Sequence, residues 1–375
     1  MRDTLTLGFV AFVPVVQLLL FGYAINQDIR HVETALVDQS NTEISRRLAG
    51  ELVATQTFDI RFQPTTEAEA LKLLQEGEVK VVVVVPHDLA RSYYRGRGAE
   101  ISVRVDATDP TLARAVRASA NGLVDHLNRR SQVFMGGQED GAYRAPRRRR
   151  TFGVESELIH SQQWRFSVLT YYNPELRTPV FVVPALLGVI LTTTMLLMTA
   201  LSLVRERERG TFEFLIGTPV HRFELMVGKL SPYVGIGLLQ VAVVLVTGLL
   251  LFRVPVVGSL LHMSVASLLF IGANLTLGLV ISSVTRNQLQ ATQMCFFFFL
   301  PSVLLSGFMF PFEAMPAPAQ WLGQLLPLTH FIRIARGILL RGSGLGDHLL
   351  EVGALLLFLL VTLALATRLF KKELG

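Results

Sequence analysis

Five stretches of this chain each run for more than twenty residues without an Asp, Glu, Lys or Arg: Leu5–Ile25, Thr178–Val204, Leu230–Phe252, Val254–Thr285 and Asn287–Phe312. The hydrocarbon core of a bilayer is about 30 Å thick and takes about 20 apolar helical residues to cross. All five are long enough. A sixth, Val352–Thr367, is shorter, but Leu349, Leu350, Leu369 and Phe370 extend it, and Arg368 can reach the interface along its aliphatic stem. Only 17% of the 375 residues are charged, against about 25% in an ordinary soluble domain. Mean hydropathy is +0.45. These values exclude disorder, a coiled coil and a soluble enzyme with one core. The single cysteine, Cys295, lies in an apolar stretch, which excludes an intramolecular disulfide framework and a cysteine-based zinc site.

The first stretch has the look of a signal peptide, but no long basic segment precedes it and no small-residue cleavage site stands before Asn26, so it reads as a retained span. Orientation follows from Lys and Arg in the short loops. One side holds ten: Arg2, Arg205, Arg207, Arg209, Arg222, Lys229, Arg286, Arg368, Lys371 and Lys372. The other holds four: Arg253, Arg333, Arg336 and Arg341. Both termini are therefore expected in the cytoplasm and the long insertion after the first span outside. The net charge of +6 is assigned to this asymmetry and to membrane lipid, not to nucleic acid.

The expected fold is an α-helical polytopic membrane protein with six transmembrane helices and an inserted α/β extracytoplasmic domain. Its parts are a first helix (1–26), a periplasmic domain (27–178) and a five-helix membrane part (179–375) with a cytoplasmic loop at 205–229. Within the insertion, strands are expected at Ala35–Asp38, Phe58–Phe62, Val79–Val85 and Ile101–Val105. Between them run helices from a Ser40/Glu43 capping box to about Thr55, from a Thr66/Glu69 box to Glu76, over Pro86–Arg95 and over Pro110–Asn128. Alternation of this kind implies an α/β layer domain. His31, His87, His126 and His160 are scattered and read as surface or capping groups. Residues 136–151 read as a loop, and Arg147–Arg150 in it either grip an acidic partner or headgroups or are simply solvated.

Residues 205–233, RERERGTFEFLIGTPVHRFELMVGKLSPY, begin as a solvated helix end. Gly210 breaks it, Thr211 caps a short helix Phe212–Ile216, and Thr218-Pro219 opens a second toward Gly228. Phe212, Leu215, Phe223 and Met226 are apolar on a loop facing water. Two readings stand on physics alone: a docking knob for another protein, or a helix lying on the membrane surface. The chain lacks G-x-x-x-x-G-K-[ST], because Gly228-Lys229 is followed by Leu230 and no Gly stands five residues before Gly228. It therefore has no phosphate-cradling loop of that type.

Polar residues inside the apolar stretches are candidates for a transport path or for helix-to-helix hydrogen bonds. They are Gln17, Gln240 and Asn274, and a run at Asn287, Gln290 and Gln293 that repeats every three residues on one helical face. After Phe312 come Pro316, Pro318 and Pro327. His330, Arg333, Arg336 and Arg341 then fall near one face of an expected Phe331–Leu340 helix on the outer surface, read as an interfacial helix or part of a re-entrant hairpin before the sixth span, with an exit gate or a docking edge for a periplasmic partner as the functional alternative.

The cytoplasmic segment resembles the signature of ABC-2 type transporter permeases, the membrane subunits of ABC exporters. The matching residues are Arg205-Glu206, Gly210-Thr211, Glu213, Thr218-Pro219, Glu224 and Gly228-Lys229. Further matches occur in order along the chain: Phe21-Gly22-Tyr23-Ala24, Val37-Asp38-Gln39, Tyr172-Asn173-Pro174-Glu175-Leu176, Leu305-Ser306-Gly307-Phe308, Phe310-Pro311, Met315-Pro316 and Pro327-Leu328-Thr329-His330. The resemblance is strongest to the bacterial multidrug-export branch with a large periplasmic domain between the first two spans. It implies a permease dimer, homo- or heteromeric, in the bacterial inner membrane, with two cytoplasmic ATPase subunits that carry the ATP and Mg. No cofactor is expected on this chain and it is not itself an enzyme. A coupling helix within Gly210 to Glu224 would seat in the ATPase, and a periplasmic adaptor and outer-membrane channel would complete the route of an amphiphilic, drug-like substrate. Family members usually start with a basic amphipathic helix, and here only Met1-Arg2-Asp3-Thr4 precede the first span. Two rivals are a membrane-anchored sensor with a periplasmic ligand-binding domain, and a permease for polysaccharide or lipid-linked polymer. Permeases of the second kind usually lack the large outer domain.

Overall fold

A computed structural model describes residues 29–95, 98–136, 164–209 and 222–369, with only the helical backbone described at 130–136 and 222–227. The expected first span with Gln17, the expected loop from residue 137 and His160, and the loop residues Gly210, Thr211, Glu213, Thr218 and Pro219 lie outside that set. So does the Glu224 side chain. The chain divides into two compact units, one of which is Ile29–Leu176.

This first unit is a five-stranded sheet in the order β2-β1-β3-β4-β5 with helices packed on it. Its elements are β1 (Val32–Asp38), α1 (Glu43–Ala54), β2 (Phe58–Phe62), α2 (Glu67–Glu76), β3 (Val81–Val85), α3 (Leu89–Tyr94), β4 (Ala99–Asp106), α4 (Pro110–Gly136) and β5 (Trp164–Tyr171). β1 runs parallel to β2 and β3; β4 is antiparallel to β3 and parallel to β5. Five consecutive valines make β3, and all are buried. A β-branched run without alternation suits a strand covered on both faces.

The start of α1 differs from expectation. Thr42, not Ser40, is the cap, and it exchanges hydrogen bonds with Ser45 rather than with Glu43. The reason is Asp38. Its Oδ1 accepts from Ser40 N (3.0 Å) and Asn41 N (2.9 Å), and its Oδ2 accepts from Ser45 Oγ (2.6 Å). Asn41 then turns the chain at φ 46°. Ser40 is thereby spent on the turn and the helix starts two residues later. Pro86 likewise precedes α3 instead of opening it, and α4 runs on past Asn128 to Gly136. β5 is an element the sequence did not announce. Asn128 of α4 pins its first residue: Trp164 N donates to Asn128 Oδ1 (2.8 Å), and Asn128 Nδ2 donates to Trp164 O (3.3 Å).

The described part of the second unit begins at Arg177. It holds α5 (Thr178–Glu208), α6 (Arg222–Leu250), α7 (Leu260–Val284), α8 (Gln288–Leu305), α9 (Ala317–Gln324), α10 (Pro327–Arg336) and α11 (Leu349–Leu369). Among the described residues, five helices are long and apolar enough to cross a membrane: α5, α6 from Gly228, α7, α8 and α11. α5 and α7 are the buried pair, while α6 and α11 present most of their apolar surface outward. Lipid is as apolar as leucine, so burial of hydrocarbon does not hold such helices together; close packing and hydrogen bonds do. Glycines provide the approach. A Cβ on Gly278 of α7 would lie 2.8 Å from Thr199 Cβ and 3.1 Å from Leu196 O, both on α5. Gly188 of α5 admits Leu328 and Phe331 of α10, and Phe331 stacks on Phe270 of α7 with ring centroids 4.2 Å apart.

Three expectations about this unit change. Residues 254–259 are an extended connection before α7, where Val257 N donates to Leu339 O (2.9 Å). α6 is continuous from Arg222 through Gly228 to Leu250, so Gly228 ends no helix. The expected helix Phe331–Leu340 is α10 followed by a π-helical turn, Gly337–Arg341, and most of both is buried in the bundle, which overturns its reading as a surface helix but not as part of a re-entrant hairpin. The physical reason is that its arginines find partners inside. Arg336 lies 3.8 Å from the Phe181 ring and donates to Gly307 O (3.1 Å), and Arg333 lies 4.5 Å from the Phe312 ring.

Gly278→Ala should lower stability by about 1–3 kcal/mol, because the added methyl must displace α5 backbone. Gly272→Ala, whose Cβ would meet Leu359 at an ordinary 3.4 Å, should be neutral or slightly stabilising. Thermal melts in detergent check this, and equal melting temperatures would show that α5 and α7 do not depend on the close approach.

Candidate functional site: the polar rim between α5 and α6

α5 ends and α6 begins on either side of residues 210–221, so the two helix ends flank the segment that carries most of the family motif. Lys229 of α6 forms an ion pair with Glu206 of α5. Both side chains are half-buried, 19% and 33% exposed, which strengthens the pair over a fully solvated one. The alternating charges at the end of α5 then reach two ways. Arg207 Nη1 donates to Thr285 O (3.2 Å), and Glu208 Oε1 accepts from Gln288 N (2.9 Å) while its Oε2 accepts from Gln288 Nε2. Thr285 and Gln288 flank the turn between α7 and α8. Arg205 and Arg209 stay exposed.

That turn is itself braced. Asn287 caps α8, its Oδ1 accepting from Gln290 N (2.8 Å), and Gln290 Oε1 accepts from Arg286 N (3.0 Å). One end of the bundle is thus a polar rim that ties α5, α6 and the α7–α8 turn together. Arg207 and Glu208 link the end of α5 to the turn between α7 and α8, and Glu206 links it to α6.

Of the sequence-derived positions, Arg205, Glu206, Gly228 and Lys229 lie at this rim. The polar candidates for a path are not gathered into one cavity among the described residues. Gln240 of α6 accepts from Thr194 Oγ1 of α5 at 2.9 Å, Gln290 is spent on the turn, Asn274 is buried on α7, and Gln293 Oε1 is buried on α8. Arg207, Glu208, Thr285 and Gln288 were not anticipated. Their partners lie about eighty positions apart in sequence, and only the bundle brings them together. No group of three or more His, Cys, Asp or Glu able to hold a metal occurs among the described residues.

A multi-pass helical membrane protein with a braced loop at one end of its bundle is the class defined so far. The particular family follows from comparison. Residues 4–368 match the model of the ABC-2 family transporter proteins, and the chain belongs to that family. It is 29% identical to a probable multidrug ABC transporter permease of Escherichia coli K12, YbhS, over 91% of this chain and 85% of that protein. It is 26% identical to a second one, YbhR, over 100% of this chain and 95% of that protein. An inner membrane transport permease of the same organism, YhhJ, is 27% identical over 83% of this chain and 77% of that protein. The chain is therefore the permease part of an ABC exporter, and ATP hydrolysis belongs to a separate subunit.

Exchanging the charges at the rim tests its ion pair. Glu206→Lys and Lys229→Glu should each destabilise, and the double exchange should recover about 0.5–1 kcal/mol of the loss, the range of a pair still partly screened by solvent. A double-mutant cycle on melting temperatures reads the coupling.

Proposed function

We infer that this permease exports an amphiphilic, drug-like substrate from the cytoplasm or inner leaflet, driven by two ATPase subunits that hold the ATP and Mg. The observation that carries the reading is the family match over nearly the whole chain, with relatives named as multidrug permeases over the same length. Six spans, with Leu5–Ile25 as the first, place both termini in the cytoplasm and the α/β unit in the periplasm by the Lys and Arg asymmetry. A second permease subunit completes the path. A periplasmic adaptor and an outer-membrane channel extend it across the envelope.

The coupling element in this reading is the segment rooted at Glu206 and Lys229 that contains Gly210, Thr211, Glu213, Thr218 and Pro219, with Glu224 in the first turn of α6. ATP binding draws the ATPase pair together, and the loop transmits the movement to α5 and α6. Such work requires that the ATPase dock differently in the two states of the permease. The polar rim gives the loop a stiff footing, which supports the reading: a force applied to a loose end would be lost in side-chain rearrangement.

The test is association and transport together. The full chain, expressed with a candidate ATPase subunit, should pull it down, and Glu213→Lys with Glu224→Lys should abolish capture without lowering membrane insertion. Capture that survives both changes overturns the coupling assignment. Proteoliposomes that hydrolyse no ATP and move no solute would favour the sensor reading instead.

A further inference from the structure

Among the described residues, the seam between α5 and α7 carries buried polar atoms that nothing in the bundle satisfies. Thr199 Oγ1 on α5, and Ser267 Oγ and Asn274 Oδ1 on α7, have no hydrogen-bond partner, and all three residues are 0% exposed. Ser267, Asn274 and Gly278 stand at i, i+7 and i+11, which puts them on one face of α7. Gly278 touches Thr199 and Leu196, so that face looks at α5.

The neighbouring hydroxyls show that this is no general feature of the two helices. Thr192 and Thr193 of α5 donate back to carbonyls four residues earlier, both at 2.9 Å. Ser264, Thr276 and Ser282 of α7 donate to their own helix in the same manner. Back-bonding of this kind is the cheap way to bury a hydroxyl. On the opposite face of α7, Thr276 also meets Thr362 of α11 at 2.7 Å, a fully paired contact. The α7–α11 seam is thus satisfied as it stands and the α5–α7 seam is not. An alanine or valine at Ser267 or Thr199 and a leucine at Asn274 would fill comparable space without stranding a polar atom in a membrane interior.

The geometry points to a second state of the bundle in which α5 and α7 part and Thr199, Ser267 and Asn274 face a hydrated crevice that takes hydrogen-bonding groups of water or solute. This deepens the transport reading above and rests on it: the crevice opens in the ATP-driven cycle. α5 is the helix whose end carries the loop root, so a movement of the loop acts first on this seam.

Cysteine accessibility tests it. Cys295 is the only native cysteine, and it is buried, so Cys295→Ala gives a silent background. Thr199→Cys and Asn274→Cys are introduced singly into the full chain, co-expressed with its ATPase subunit in membranes whose ATP hydrolysis has first been verified. Ala273→Cys, equally buried on another face of α7, and Thr362→Cys, on the paired seam, serve as controls. The probe is a small charged methanethiosulfonate, applied without nucleotide, with ATP and after vanadate trapping. The two seam cysteines should react about tenfold or more faster than the controls in at least one nucleotide condition, as a populated open state requires. Rates equal to the controls in every condition overturn the crevice. Asn274→Leu adds a second reading: it should keep the melting temperature and lower ATP turnover, whereas unchanged turnover contradicts a working role for the seam. Because hydrolysis is verified beforehand, failure of the crevice is distinguishable from failure of the transporter reading.

Discussion

Inside a hydrocarbon layer a helix has no water to escape from, so two helices stay together by close packing and by the hydrogen bonds between them. In this bundle that contact is made where side chains are missing. Gly278 lets α7 rest on the backbone of α5, and Gly188 lets α10 rest its Leu328 and Phe331 on α5. Gly258 does the same outside the helices, where a Cβ would collide with Ile338 O. With α5 and α7 at the centre, α6, α8, α10 and α11 pack around them, and the two outermost long helices turn leucine and valine outward.

That packing explains why charge collects at one end. The last turn of α5 carries Glu206, Arg207 and Glu208, and each finds a partner on a different element. An isolated surface ion pair contributes little. A set that joins α5, α6 and the α7–α8 turn acts as a brace, because displacing one helix end would break bonds at the others. Residues 210–221 connect two of these braced ends. The bundle is thus tied at this end, while its central α5–α7 seam keeps buried polar atoms without partners.

The α/β unit uses different physics. Its inner strands β1, β3 and β4 are paired on both sides and its β3 is valine throughout, so apolar burial holds it in the ordinary way. Polar residues are spent on turns: Asp38 organises the step from β1 to α1, and Asn128 holds the edge strand β5. Family-motif residues are involved at both ends of the unit. Asp38 does the work just described, and Asn173 is buried in the turn after β5, where its carbonyl accepts from Leu176 N at 3.0 Å.

The sequence by itself determined the apolar stretches and the alternation of strands and helices, because those depend on local period and composition. Phe58–Phe62 has the bounds read from its residues, and each of the five apolar stretches in the described part contains a helix long enough to cross a membrane. The resemblance carried by Gly210 to Lys229 named the family because a motif is a property of neighbours in the chain. Tertiary structure alone decided the rest. Whether Ser40 or Thr42 caps α1 depended on Asp38 claiming Ser40. Whether α10 lies on a surface or inside depended on Phe181, Phe312 and Gly307 being there to receive its arginines. The brace at the loop root and the unpaired seam are relations between residues far apart in sequence. Hydrogen-bond partners across a bundle are set by helix contact, and no single stretch of sequence encodes which face of one helix meets another.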